Sequence, residues 1–343
     1  MLNTTQKAEL KKLLSSKLNI VVTSHNNPDG DAIGSVLAME RYLKKLGHVV
    51  VSIVPNNFPG FLSWLPGSDQ IIIYNRAAKE AQKAILEADL IFSLDYNAIN
   101  RFGPASEILL RSDAKRILID HHIKPDVESF DFCFATTETS STGELIYDFI
   151  DQMDDTNLID REIAEAIYTG IVTDTGSFSF AANNKKTYLV TAELISKGVD
   201  AEKVHRLIYD TFSEDRLRLL GHAISNNMLV WNELHTALIF LTKEDLTHFN
   251  YQVGDIEGIV NYPLMMDQVN MSVLLTERDN QIRLSFRSKG TFSVNQLARD
   301  HFNGGGHRNA AGGRSNTSME ESINTIKAVL AEYTEALNYK ITY

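Results

Sequence analysis

The chain has 343 residues, 43% of them hydrophobic and 22% charged, with a formal net charge of −11 and one cysteine, Cys133. That length favours two domains, each able to bury its own core, and the composition is that of a globular protein. The acidic balance argues against a protein that coats nucleic acid, and a lone cysteine excludes an internal disulfide, as befits a reducing cytoplasm.

The polar, helix-prone start over residues 1–18 lacks a signal-peptide core, and no later apolar run is long enough to cross a bilayer. A cytoplasmic protein without a membrane partner is expected. Residues 19–24 have the length and β-branched content of a buried strand, and helical periodicity follows over 32–43. Between them lies His25-Asn26-Asn27-Pro28-Asp29-Gly30-Asp31, one imidazole and two carboxylates around a Pro-Asp-Gly turn. Strand-to-helix loops of open α/β sheets are where ligands bind. Carboxylates this close repel unless a cation sits between them. Further strands are predicted at 48–54, 71–74, 89–95 and 114–120, with helices at 77–88 and 105–111. Such alternation implies an α/β class with a mostly parallel, doubly wound sheet. Asp95 and Asp120 end two of these strands and point at the same rim.

Helices then dominate. Ser140-Ser-Thr-Gly-Glu144 reads as a capped start of a helix reaching about Asp151, and the next runs from Asp160 to Thr173-Asp174-Thr175-Gly176. The helical stretch 185–226, broken at Gly198 and Ser213, reads as a connection between domains. From Met228 the pattern changes to strand pairs, 229–231 with 236–241 around Asn232-Glu233, and 269–276 with 281–288 around Asp279-Asn280. Helices over 293–301 and 319–337 complete a smaller α+β domain. The expected division is a catalytic domain over 1–190, a helical linker over 191–228 and a substrate-binding domain over 229–343.

The sheet rim would present His25, Asp29, Asp31, Asp95, Asp120, His121, His122 and Asp174, five carboxylates and three imidazoles from four separate segments. Any one alone could be a capping acid or a hydrogen-bonded histidine. Two ions sharing a bridging carboxylate would use them together, as in two-metal hydrolases with ions ~3.5–4 Å apart that lower the pKa of a bound water. Imidazole and carboxylate donors without thiolate favour two Mn²⁺ ions, with Co²⁺, Fe²⁺ or Mg²⁺ the other ions such donors accept.

The motifs His25-x-x-x-Asp29-x-Asp31, Asp95, Asp120-His121-His122 and Thr173-Asp174-Thr175-Gly176 resemble the four motifs of the DHH phosphoesterase superfamily. Phe302-Asn-Gly-Gly-Gly-His307-Arg-Asn-Ala-Ala-Gly-Gly313 resembles the glycine-rich signature of its associated C-terminal domain, with Asn303 where many relatives carry a glycine. The two-domain layout is most similar to the nanoRNase (NrnA) type, which degrades very short RNAs and dephosphorylates 3′-phosphoadenosine 5′-phosphate (pAp). The resemblance implies His25, Asp29 and Asp95 on one metal, and Asp31, Asp95, His121 and Asp174 on the other, with Asp95 bridging. It implies that Asp120 orients a liganding imidazole and that His122 faces the scissile phosphate. The catalytic set it implies is Asp31, Asp120, His122, Arg287 and His307.

Gly304, Gly305 and Gly306 would adopt positive φ and bring amide groups to an anion. Charge supports this, since Arg283, Arg287, Lys289, Arg299, Arg308 and Arg314 face the single acid Asp300 between residues 281 and 314. Arg287, Ser288, Gly304–Gly306, His307 and Arg308 are the expected substrate contacts, Arg287 suiting a bidentate grip on phosphate. The expected activity is hydrolysis of short oligoribonucleotides to mononucleotides and of pAp to AMP, with substrate held between the domains. Linear pApA from cyclic-dinucleotide turnover, pyrophosphate and polyphosphate are the alternative substrates, and a non-catalytic nucleotide sensor is the alternative of another class. Long nucleic acid is not an expected partner, and a homodimer is compatible with the sequence. Phe178, Phe180 and Tyr262 are candidates for a base platform, each more in keeping with a core position.

Overall fold

The structure, a computed structural model, describes residues 2–278 and 280–340, and the chain divides into two compact units, Met1–Thr211 and Phe212–Tyr343. Helices Lys185–Ser196 and Ala201–Tyr209 fall in the first unit and Glu214–Ser225 in the second, so the segment 191–228 contributes helices to both.

The first unit holds six parallel strands: β1 (Asn19–Thr23), β2 (Val49–Val54), β3 (Ile72–Ile73), β4 (Leu90–Leu94), β5 (Lys115–Asp120) and β6 (Phe132–Ala135). Their order is β3-β2-β1-β4-β5-β6. The chain therefore builds outward one way from β1 and the other way from β4, and the crevice between the ends of β1 and β4 is a topological switch point. Alternate strand residues feed two cores. Ile20, Val22, Phe92, Ile117 and Phe134 pack under α2 (Gly30–Lys45), α5 (Thr142–Gln152) and α6 (Arg161–Asp174), whereas Val21, Ile91 and Leu118 pack under α3 (Ala78–Leu86) and α4 (Ser106–Arg111). With α1 (Thr4–Leu13), α7 (Lys185–Ser196) and α8 (Ala201–Tyr209), this is the doubly wound layer arrangement expected. The sequence reading had no strand at Phe132–Ala135, which lies at the sheet edge.

The second unit is a mixed sheet of order β11-β12-β10-β9-β8-β7. Its strands are β7 (Met228–Trp231), β8 (Thr236–Leu241), β9 (Met271–Arg278), β10 (Gln281–Ser288), β11 (Gly305–Gly306) and β12 (Ala310–Ser315). All neighbours pair antiparallel except β8 with β9. Helices α9 (Glu214–Ser225) and α10 (Lys243–His248) share a core with Ile239 and Leu274, and α11 (Val294–His301) and α12 (Met319–Ala331) cover Val273, Leu284 and Phe286. Three local expectations are corrected. Asn232–Leu234 is a 3-10 turn followed by left-handed His235 (φ 47°) rather than a two-residue hairpin loop. The helix expected over 319–337 ends at Ala331 and resumes as α13 (Thr334–Leu337). The glycine run is not an open loop but supplies β11 and leads into β12. At the hairpin of β9 and β10, Asp279 lies outside the described residues.

Candidate metal centre

The loop after β1 is set by local bonds. Asp29 caps α2, one carboxylate oxygen accepting from the amides of Asp31 and Ala32 at 3.1 Å each. The Asn26 amide donates to the Arg101 carbonyl (2.8 Å), and Asn27, at positive φ, exchanges hydrogen bonds with the Asn56 side chain. His25 and Asp31 are thereby buried at the rim while the Asp29 side chain stays half exposed.

Asp95, immediately after β4, takes a left-handed conformation (φ 62°), a backbone state that asparagine and aspartate adopt more readily than other non-glycine residues. Its two oxygens face different partners. Oδ2 lies 3.4 Å from His25 Nε2, which is also 3.9 Å from Asp29 Oδ2, while Oδ1 lies 3.4 Å from His121 Nε2. The same His121 nitrogen lies 3.7 Å from Asp31 Oδ2 and 3.6 Å from Asp174 Oδ2. Asp174 arrives on the last turn of α6 and His121 on the residue after β5. Two donor clusters, His25-Asp29-Asp95 and Asp31-Asp95-His121, thus meet at one carboxylate.

Asp31 sits against the first turn of α5. Its Oδ2 accepts from the Thr142 amide and its Oδ1 from the Gly143 amide, both at 2.7 Å. A side chain at Gly170 would put a Cβ 2.6 Å from Asp31 Oδ1, so this glycine of α6 makes room for the carboxylate. Thr142 also donates its hydroxyl to Asp95 Oδ1 (2.9 Å). The sequence reading took Ser140-Ser-Thr-Gly only as a helix start and missed both contacts. The available signal was a glycine in the first turn of a helix with no turn requiring it.

The electrostatics describe a site short of positive charge. Burial, then the charges of Asp95 and Asp174, push the Asp31 carboxyl well above the usual carboxylate range. Burial raises Asp174 to about 6, with the charges of Asp29 and Asp95 adding to it against that of His121. Burial would lower His25, but the hydrogen bond to Asp95 and the charges of Asp29 and Asp95 outweigh it and push its pKa up to about 9. Burial opposes the ionised form of Asp95 as well, yet the hydrogen bonds of His121 and His25 hold it well below its ordinary value. Protonated imidazoles here do what divalent cations would do better. Buried carboxylates and imidazoles converging without thiolate are a donor set for hard or borderline cations, and the residues fit that role.

Asp120 holds His122. Its Oδ1 lies 2.7 Å from His122 Nδ1 and its Oδ2 accepts the His122 amide at 3.0 Å, because residues two apart meet across the turn that ends β5. A proton on His122 Nδ1 would be shared with Asp120, which fixes the orientation of the ring.

In the second unit, Arg287 is half-buried on β10, where it pairs with Ala310 of β12 and Ser272 of β9. His307 and Ala310 close a tight turn, the His307 amide donating to the Ala310 carbonyl at 2.7 Å, so Arg287 and this turn share one end of the sheet. Ser288 is buried and its hydroxyl donates to the Phe292 carbonyl (2.8 Å) while accepting from Asn309, which braces the turn. Arg308 donates to the Thr291 carbonyl, Arg299 to Asn295 and Lys289 to the Met266 carbonyl. At Gly304 and Gly306 close approach is what excludes a side chain. Of Gly304, Gly305 and Gly306, only Gly306 has a positive φ (148°). A Cβ at Gly304 would lie 1.9 Å from the Gly312 carbonyl oxygen, and one at Gly306 2.5 Å from that of Ala310. Of the aromatic candidates, Phe178 packs against the core, but Phe180 is 48% and Tyr262 36% exposed, against the core positions expected.

The chain belongs to the DHH family, a class of metal-dependent phosphoesterases. The model of the DHH family N-terminal domain matches residues 19–171, and that of the DHHA1 domain residues 234–336. It is similar to the bifunctional oligoribonuclease and PAP phosphatase NrnA of Bacillus subtilis, 29% identical over 89% of this chain and 92% of that protein. The protein of that name from Thermus thermophilus is 30% identical over 85% of this chain and 83% of its own length. A crystal structure of an exopolyphosphatase-related protein from Bacteroides fragilis superposes with a TM-score of 0.91 at 42% identity, covering 98% of this chain and all of the other. Among the described residues, no helix is long and apolar enough to cross a membrane.

Proposed function

We propose that the protein hydrolyses short oligoribonucleotides to mononucleotides and pAp to AMP at a site holding two Mn²⁺ ions. The observation that carries this reading is the Asp95 carboxylate, one oxygen toward His25 and the other toward His121. Its support on the substrate side is the similarity, over nearly full length, to proteins named for those two activities. When bound, the ions supply Lewis-acid charge and lower the pKa of a coordinated water. His25, Asp29 and Asp95 would hold one, and Asp31, Asp95, His121 and Asp174 the other.

The chain's own groups do the rest. Asp120 fixes the His122 ring through Nδ1, and a ring that carries a second proton, on Nε2, donates from that atom to the phosphoryl oxygen as charge builds. Arg287 grips a phosphate with its planar fork, and His307, Arg308 and the backbone at Gly304–Gly306 line the same anion-binding end of the second unit. The acidic chain offers no long basic track, which supports short substrates over long strands. A second reading, polyphosphate hydrolysis, has the support of the Bacteroides fragilis likeness. The test is Mn²⁺-dependent product release from pAp, an RNA dimer-to-pentamer ladder, pApA and polyphosphate. Turnover of the first two is expected. Cleavage of polyphosphate or pApA alone would overturn the substrate assignment and leave the metal site standing.

A further inference from the structure

We infer that Thr142 is a positioning residue that holds Asp95 as a carboxylate shared between two cations, a role that rests on the two-ion reading of the site. Thr142 is fully buried at the start of α5. Its hydroxyl donates to Asp95 Oδ1 at 2.9 Å, and its amide donates to Asp31 Oδ2 at 2.7 Å. One residue therefore touches a carboxylate of each donor cluster.

The helix does not need this hydroxyl for itself. Ser141 is the N-cap, its side chain accepting the Glu144 amide at 3.0 Å. The Asp95 carboxylate needs it more. Rotation about the terminal bond of an aspartate is soft, with a broad range of angles allowed. The Asp95 backbone is anchored by its own amide on the Ile119 carbonyl (3.0 Å), but that bond leaves the carboxylate plane undefined. The contacts at Nε2 of His25 and His121, with His122 Nδ1 3.8 Å from Oδ1, help define it in the cation-free protein, and the two Nε2 contacts end once those nitrogens serve as ligands. The Thr142 hydroxyl keeps Oδ1 on the His121 side, which leaves Oδ2 toward His25 and Asp29. Without it the carboxylate is free to turn both oxygens to one cluster, and the second ion loses a ligand.

The test compares Thr142→Val, Thr142→Ala and Thr142→Ser with the unsubstituted protein. All three keep the amide bond to Asp31, and only serine keeps the hydroxyl. Calorimetric titration with Mn²⁺ alone reads stoichiometry and affinity, and electron paramagnetic resonance reads the spin coupling of a shared-ligand pair. Valine and alanine should weaken the second Mn²⁺ by about tenfold or more and remove the coupled signal, with serine restoring both. Circular dichroism identifies folded variants, and alanine serves if the valine protein does not fold. Wild-type affinity and coupling in a folded valine or alanine variant would overturn the role of Thr142. Failure of the unsubstituted protein to bind two ions would instead overturn the two-ion reading, and this role with it.

Discussion

Asp120→Asn separates a residue that orients His122 from one that binds metal. Asp120 is fully buried, and its carboxylate accepts both the Nδ1 proton and the amide of His122, at 2.7 and 3.0 Å. The amide side chain keeps the shape and one acceptor but loses the charge. A hydrogen bond to a charged group contributes about 1.5–3 kcal/mol and a neutral one about 0.5–1.5, so the change removes about 1–2 kcal/mol. If that difference is felt in the transition state through His122, kcat falls about five- to thirtyfold. Phosphate release from pAp at saturating Mn²⁺ gives kcat, and calorimetric titration gives the Mn²⁺ affinity, which should stay within about twofold. Asp120 can also group with Asp95 and His122 as a third set of donors. A fall in Mn²⁺ affinity as large as the fall in kcat would place Asp120 among the ligands and refute the argument.

Other variants probe the remaining parts. Gly170→Ala brings a methyl group 2.6 Å from Asp31 Oδ1 and should cost about 1–3 kcal/mol by overpacking, offset by about 1 kcal/mol of helix propensity. Thermal melts and Mn²⁺ titration should both register it, and an unchanged affinity would show that Asp31 does not need this space. Arg287→Ala should weaken processing of pAp and RNA dimers while Mn²⁺ affinity is unchanged, and equal loss of both would refute its assignment to phosphate. In cation-free protein His25 titrates near 9 when folded against 6.5 unfolded, so the folded state binds the extra proton and is the more stable below 6.5. That stabilisation, on the order of 3 kcal/mol, is lost as pH rises from 6.5 through 9. Asp174, raised to about 6, acts in the same direction between pH 4 and 6. Melting temperature without metal should therefore fall across this range, and saturating Mn²⁺ should reverse the trend above pH 7. A flat profile in chelated protein would contradict the charge balance described.

The candidate metal site was legible because its donors stand where strands end. Asp95 and His121 follow buried apolar runs whose edges any pattern reading finds, and the switch point between β1 and β4 does the converging. The Asp174 segment was visible as a polar break after an apolar helix. What stayed hidden depends on contacts between segments distant in sequence. Nothing local in Ser141-Thr142-Gly143 says that its amides and hydroxyl meet Asp31 and Asp95, which lie 111 and 47 residues away. Strands β11 and β12 escaped because glycine carries no side-chain alternation, and the bonds that make them strands are to each other and to β10. Which imidazole Asp120 holds was not legible, because adjacent histidines in a turn cannot be told apart by spacing, and the structure pairs it with His122.

The most direct measurement of the central claim is anomalous diffraction from crystals grown with Mn²⁺. Two peaks are expected, one on either side of the Asp95 carboxylate, the first among His25 and Asp29 and the second among Asp31, His121 and Asp174. A single peak, or two peaks that do not share Asp95, would contradict the claim.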